Sequence, residues 1–230
     1  FRKVKQHQNE GLTAKQKFVL QLLAAVIFLS LMRYEGLLSN DLYLPFFNVG
    51  FTINWIVYLV FAAFVIVGCV NAVNLTDGID GLAGSVTAVT CVFFLAAGLL
   101  AELTTLSLFA SALLGGLLAF VVGYNHHPAK CFMGDTGSLF LGGAVAAMAF
   151  ALDMPLVLIP VGIVYILETL SDIIQVVYFK ATHGKRFFKM APLHHHLEKC
   201  GWSEWKIVGV FSAVTAVCSL LAWLGIQGRF

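Results

Sequence analysis

Seven long apolar stretches, separated by short polar loops that hold nearly all the charge, restrict this chain to one kind of fold. A membrane-crossing helix needs about 20 largely apolar residues. The stretches lie at roughly 17–32, 52–73, 82–100, 106–124, 137–151, 156–179 and 206–225. The fifth is short and rich in Gly and Ala, which suits close helix packing. No window alternates with period 2 for long enough to build a membrane β-barrel. Composition agrees: 60% of the 230 residues are hydrophobic and 11% charged, against about 25% charged in an ordinary soluble domain. A soluble enzyme, a disordered chain and a free nucleic-acid binder are disfavoured, and a net charge of +2 calls for no polyanionic partner. The expected fold is all-α: a polytopic transmembrane helical bundle of seven spans, forming one integral membrane domain over residues 1–230.

The basic residues orient the bundle. Arg2, Lys3, Lys5, Lys15, Lys17, Lys130, Lys180, Lys185, Arg186, Lys189, Lys199 and Lys206 fall on one side, and only Arg33 and Arg229 on the other. Twelve against two of the 14 places the first set in the cytoplasm. The three loops richest in unusual polar residues, 71–81, 125–138 and 180–205, then share the cytoplasmic face, where the catalytic cleft is expected. The first 16 residues are polar and offer no signal peptide, and without an initial Met the chain reads as the later part of a longer protein. The five cysteines show no CxxC pair, so neither disulfides nor a zinc site are expected.

The first loop reads Asn71-Ala-Val-Asn74-Leu-Thr-Asp77-Gly-Ile-Asp80-Gly81. Residues three apart share a helical face, which pairs Asn71 with Asn74 and Asp77 with Asp80. Such oxygen donors suit a hard cation such as Mg²⁺ together with substrate phosphates. A helix starting near Gly81 is expected to aim free N–H groups at an anion. Helix capping by two of these residues would be ordinary, but two Asn and two Asp within ten residues favour a functional site.

In the second loop, Asp135 lies between Gly134 and Gly137, just before an apolar helix, and again suits a metal–diphosphate site. Phe132 is placed where a ring can stack on a flat base, or anchor at the membrane interface. His126 and His127 read as solvated interface residues. The third loop carries Met190-Ala-Pro-Leu-His194-His195-His196-Leu-Glu198. Adjacent side chains diverge, so three consecutive imidazoles do not fit one tetrahedral metal; they can bind phosphate, donate protons or contact substrate. Lys185, Arg186 and Lys189 either attract anionic substrate or mark the inside face. Glu168, Asp172 and Gln175 fall on neighbouring turns of the sixth stretch. Intramembrane carboxylates are functional candidates by default, with a buried hydrogen bond to another span as the equal alternative for Glu168.

Asn71–Ala83, Phe132–Gly143 and Met190–Glu198 together resemble the bacterial phospho-MurNAc-pentapeptide transferases, within the polyprenyl-phosphate N-acetylhexosamine-1-phosphate transferase superfamily. The NxxNLTDGxDGLA and FMGDxGSL segments mark the superfamily, and MAPLHHHLE marks the muramoyl-pentapeptide branch. The resemblance implies about ten spans and a paired-aspartate motif on an earlier cytoplasmic loop. Phe1-Arg2-Lys3-Val4 looks like sequence just after that pair, so the N-terminal three spans of the family are expected to lie outside this chain.

The implied reaction transfers phospho-MurNAc-pentapeptide from UDP-MurNAc-pentapeptide to undecaprenyl phosphate, giving lipid I and UMP in peptidoglycan synthesis at the bacterial inner membrane. By resemblance, Asp135 binds Mg²⁺ with Asn74 as second ligand, and Asp77 and Asp80 organise the nucleotide-sugar or metal waters. Phe132 and Gly134 line a uridine pocket with Asn125 nearby. Asn71 joins the substrate-binding set. Gln175, Ala191, His194, His195 and His196 contact the uridyl diphosphate or the sugar-peptide, and His194 joins the three aspartates as a catalytic candidate.

Membrane lipid is an expected partner, nucleic acid is not, and a homodimer stays open. The runner-up within the superfamily is a UDP-GlcNAc:polyprenyl-phosphate GlcNAc-1-phosphate transferase. A secondary transporter is disfavoured because its acids belong near the bilayer midplane, whereas Asp77, Asp80 and Asp135 fall at one face. A noncatalytic membrane scaffold is disfavoured by the density of phosphate-binding chemistry.

Overall fold

The computed structural model describes residues 12–230; Arg2, Lys3 and Lys5 of the basic set, and the Phe1–Val4 segment, lie outside the described residues. The described chain forms α1 (Ala14–Tyr34), a hairpin of β1 (Asp41–Leu44) and β2 (Val49–Thr52), α2 (Trp55–Thr76), α3 (Leu82–Leu100), α4 (Thr104–Phe120), α5 (Gly134–Ala151), α6 (Leu158–Val161), α7 (Ile163–Ala181), α8 (Leu193–Lys199) and α9 (Glu204–Ile226). Local chemistry sets several helix starts. Thr13 and Gln16 form a reciprocal capping box at α1, Asn54 accepts the Ile56 N–H at α2 (2.9 Å), and Ser203 caps α9.

Among the described residues, six helices are long and apolar enough to cross a membrane. The sixth apolar stretch, expected as one span over 156–179, is instead broken: Pro155–Val161 and Ile163–Ala181 meet at 79°. Pro160 has no N–H for the ladder, and a Cβ on Gly162 would lie 2.7 Å from the Leu158 carbonyl oxygen. Counted as one bent span, the pair makes the seventh. The outward faces carry large apolar side chains, among them Val60, Phe64, Leu108, Leu118, Leu220 and Leu224. Water would penalise that surface, whereas lipid would not.

The core is built in two clusters. Phe94, Met148, Tyr165, Ile207 and Ile226 belong to the larger, and Leu29, Tyr58, Ala62 and Phe150 to the smaller. One contact between them positions the site. Gly142 of α5 rests on α2 so closely that an added Cβ would sit 2.5 Å from Val70 Cα and 2.9 Å from the Cys69 carbonyl oxygen. Because α2 and α5 run antiparallel, this contact brings Asn74, one turn beyond Val70, to Ser138, one turn before Gly142. Gly142→Ala should therefore lower thermal stability by the equivalent of about 1–3 kcal/mol, the usual cost of overpacking, and pull Asn74 from Asp135. Gly143→Ala meets only Val70 Cγ2 at 3.9 Å and serves as the control. Equal melting temperatures for the two variants would contradict this packing.

At the opposite end, the Asp153 carboxylate accepts from Ser39 Oγ (2.7 Å) and Arg229 (3.1 Å), while the Phe46 N–H donates to the Gly225 carbonyl (3.2 Å). These bonds join the segment after α1, the turn after α5 and the C-terminal segment at one end, as the alternation of spans requires. The hairpin belongs to this end and is the one β element among the described residues. It is an addition to the expected all-helical architecture.

Candidate active site

The other end of the bundle gathers all three polar loops. Asn74, on the last turn of α2, donates through Nδ2 to Ser138 Oγ (2.8 Å) and to Asp135 Oδ1 (3.3 Å). Asp135 lies in the first turn of α5, and Lys17 of α1 pairs with its other oxygen. Asp77 follows α2 directly and lies near the Gly134 backbone N–H. Burial, and then the negative charge of Asp135, push the Asp77 carboxyl up to about 6.

The donor set fits a hard divalent cation. Two carboxylates and a carboxamide lie together, and the Lys17 ammonium sits on Asp135 where positive charge is favoured. Ligation through Asn74 Oδ1 requires the carboxamide to turn over, because its nitrogen faces Asp135 here.

A pH dependence follows. A carboxyl whose folded pKa rises from 3.8 to about 6 favours the folded state while protonated. That contribution is full below about pH 4 and is lost as pH rises through about 6. With divalent ions chelated, Asp77 should remove about 1 kcal/mol of stability across this window, a figure discounted for the water that reaches a half-buried group. Asp77→Asn should flatten the decline, as read from melting temperatures at pH 4.5, 5.5 and 6.5. An unchanged slope in the variant would contradict the assignment.

Asp80 belongs to a second group. Its Oδ2 lies 3.1 Å from His127 Nδ1 and accepts the Ala129 N–H (2.9 Å), while Glu204 Oε2 lies 3.2 Å from His127 Nδ1 and accepts the Asp80 N–H (3.2 Å). Ligating atoms of Asp80, His127 and Glu204 all fall within 4.8 Å of one another, so these three can also hold a metal ion. His127 is thus a hub between two carboxylates rather than a merely solvated interface residue. Asn125 is buried and spans the same two loops: its Oδ1 accepts the Gly81 N–H (3.1 Å) and its Nδ2 donates to the Cys131 carbonyl (3.0 Å). At the start of α3 the N–H groups of Gly81 and Leu82 already have partners, in Asn125 Oδ1 and the Ile79 carbonyl, which leaves fewer of the expected free donors.

The triple-His loop points three ways. His194 turns inward and is 0% exposed, with Nδ1 2.8 Å from Glu168 Oε2 and its backbone N–H donating to Glu168 Oε1 (3.1 Å). Glu168 therefore bonds to the loop helix α8 rather than to another span. His195 pairs with Glu198, and His196 Nδ1 accepts the Lys189 N–H (3.1 Å). Gln175 commits its carboxamide to the loop, accepting from Phe187 and Phe188 and donating to the Phe188 carbonyl. Ala191 borders a recess of about 340 Å³ with Asp172, Gln175 and Arg186.

The remaining candidates are more open or more peripheral. Phe132 is 76% exposed, and Gly134 adopts a positive φ of 65° just before Asp135. Asn71 binds Gln21 of α1 (2.8 Å) and the Val67 carbonyl (2.7 Å) rather than joining the aspartates. Sequence reasoning missed Lys17, His127 and Glu204. Lys17 read only as an orientation marker, and Glu204 sits where an acidic residue ordinarily serves the first turn of a helix.

Fold and site together define a multi-pass helical membrane protein whose oxygen donors, imidazoles and lysine converge at one end of the bundle. Residues 9–153 match the sequence profile of glycosyl transferase family 4. A phospho-N-acetylmuramoyl-pentapeptide-transferase of Clostridium acetobutylicum is 50% identical over 226 residues, covering 97% of this chain and 69% of that protein. Proteins of the same name from Bacillus cytotoxicus and Oceanobacillus iheyensis are 46% and 47% identical, covering 97% and 96% of this chain and 67% of each relative. The chain belongs to glycosyl transferase family 4.

Proposed function

We propose that the protein transfers phospho-MurNAc-pentapeptide from its UDP carrier to undecaprenyl phosphate, with lipid I and UMP as products. The observation that carries this reading is the corner of Asn74, Asp77, Asp135 and Lys17, set one helical turn from an apolar groove of about 430 Å³. Leu20, Ala24 and Phe28 of α1 line that groove opposite Phe140 and Ala147 of α5. A polyprenyl chain needs such an apolar wall, and its phosphate needs the polar corner beyond it. The sidedness of the basic residues supports an active site on the cytoplasmic face of the inner membrane, where a soluble nucleotide donor is supplied.

In the reaction, an oxygen of the acceptor phosphate attacks the sugar-bearing phosphorus of the donor. The bond from that phosphorus to the UMP oxygen breaks, and UMP departs with the electron pair. A phosphate monoester is largely dianionic near pH 7, so no side chain has to deprotonate it. Two anions must approach, which makes charge neutralisation the main task. Mg²⁺, when bound, supplies part of that positive charge. Asp135 and Asn74 hold the cation in this reading, Asp77 orders its waters, and Lys17 is freed to face phosphate. Phe132 offers an open ring face for uracil, with Gly134 and Asn125 forming the pocket wall. His195, His196, Gln175 and Ala191 border the sugar-peptide side.

The test is direct transfer by the purified protein in detergent. With UDP-MurNAc-pentapeptide, undecaprenyl phosphate and Mg²⁺, UMP and lipid-linked product should appear in equal amounts. Turnover with UDP-GlcNAc alone would instead establish the GlcNAc-1-phosphate transferase reading.

A further inference from the structure

Glu168 and His194 form a fully buried pair, and His194 Nε2 is a buried nitrogen with no hydrogen-bond partner. That nitrogen points at the first loop: a Cβ placed on Gly78 would lie 2.1 Å from Nε2 and 2.6 Å from Cε1. The ring therefore rests against the backbone between Asp77 and Asp80. Two hydrogen bonds to one carboxylate hold it there, one from the ring and one from the backbone N–H of the same residue. A carboxylate only accepts, so Nδ1 must carry the proton. In the neutral imidazole, that leaves the lone pair on Nε2, toward the loop.

We propose that Glu168 is a positioning residue, which fixes the orientation and tautomer of His194 and through it braces the Asp77–Gly81 turn that presents Asp77 and Asp80. The proposal rests on the transferase reading for its consequence in turnover, but not for the brace itself. Three details support a brace. His194 exposes no surface for a substrate to touch. Glu168 lies on the bent arm α7, and its partner lies on α8, so the pair ties both to the α2–α3 connection. The turn is also held from its other side, where Asp80 N–H meets Glu204 and Gly81 N–H meets Asn125, leaving the Gly78 side to the imidazole.

Glu168→Gln tests the pair with little change of shape. Its carboxamide can accept only through oxygen. If its nitrogen faces the ring, Nδ1 becomes an acceptor and the proton moves to Nε2, against Gly78. The known precedent of an Asp→Asn change beside a catalytic histidine shows that a wrong tautomer can cost about 10⁴-fold in turnover with the geometry intact. For an indirect brace we expect a 10- to 100-fold fall in kcat and less than a threefold change in KM for UDP-MurNAc-pentapeptide. The melting temperature should stay near that of the parent protein.

Hydrogen exchange followed by mass spectrometry should show faster exchange across Asp77–Leu82 and unchanged exchange at the Asp153 end. In a His194→Gln background, Glu168→Gln should have no further effect on kcat. The proposal is overturned by parental kcat and exchange in Glu168→Gln, by activity lost only in proportion to folded protein, or by a full additional loss in the His194→Gln background. Should the parent protein fail to transfer at all, the functional reading falls, while the exchange experiment still decides the brace.

Discussion

Asp135→Asn should cost the protein at least about 100-fold in Mg²⁺-dependent turnover, equivalent to about 3 kcal/mol of transition-state stabilisation, while leaving the bundle folded. Asn keeps the shape of the side chain and can still bond Asn74 and Lys17. It removes the charge that opposes a cation, and with it the main electrostatic push on Asp77. The variant should therefore also bring the Asp77 carboxyl down toward its ordinary range, an effect that a simple helix-capping role for Asp135 also allows. The turnover measurement separates the two. Near-parental rates with unaltered Mg²⁺ dependence would reduce Asp135 to a helix-start residue.

The second large effect is expected at Gly78. Alanine there places a methyl 2.1 Å from an imidazole nitrogen that is buried and anchored through Glu168. The ring has no solvent-facing direction in which to swing, so either the loop shifts or the Glu168 pair breaks. Breaking the pair leaves buried polar groups unsatisfied, which costs about 1–3 kcal/mol and more where a group is charged. We expect a comparable loss of stability in Gly78→Ala and turnover near background. Gly116→Ala on α4, which meets nothing within 4 Å, should be neutral or slightly stabilising because alanine favours helix. Unfolding and turnover measured side by side on both variants check this. A Gly78→Ala protein as stable and active as the parent would mean that the imidazole does not rest on the loop.

Much of the architecture was legible because apolar length is a local property. Ala14–Tyr34, Leu82–Leu100 and Glu204–Ile226 form where uninterrupted apolar runs lie between polar loops. The break at Gly162 was not, because a stretch containing Pro160 and Gly162 remains apolar throughout, and hydropathy does not register a lost backbone donor. The hairpin escaped because two four-residue strands are too short to show alternation.

In the site, Asn74 and Asp135 stood out from their residue types and neighbouring glycines, but their meeting depends on Gly142 against Val70, a contact invisible in either loop. The Asp80–His127–Glu204 group joins residues up to 124 positions apart. Nothing local distinguishes His127 from His126 beside it. His194 stood out in the triple-His segment as a substrate contact, yet its side chain faces inward to Glu168. Chain separation, rather than unusual residue chemistry, hid these partners.

The central claim is that the cation serving the transfer is held by Asp135 and Asn74, beside the apolar groove. Mn²⁺ titrated into the detergent-solubilised protein and followed by electron paramagnetic resonance tests it, with the parent compared against Asp135→Asn and Glu204→Gln. The account predicts that Asp135→Asn abolishes the bound Mn²⁺ signal associated with turnover and that Glu204→Gln leaves it in place. Loss of the signal in Glu204→Gln with full retention in Asp135→Asn would place the ion at Asp80, His127 and Glu204 and contradict the account.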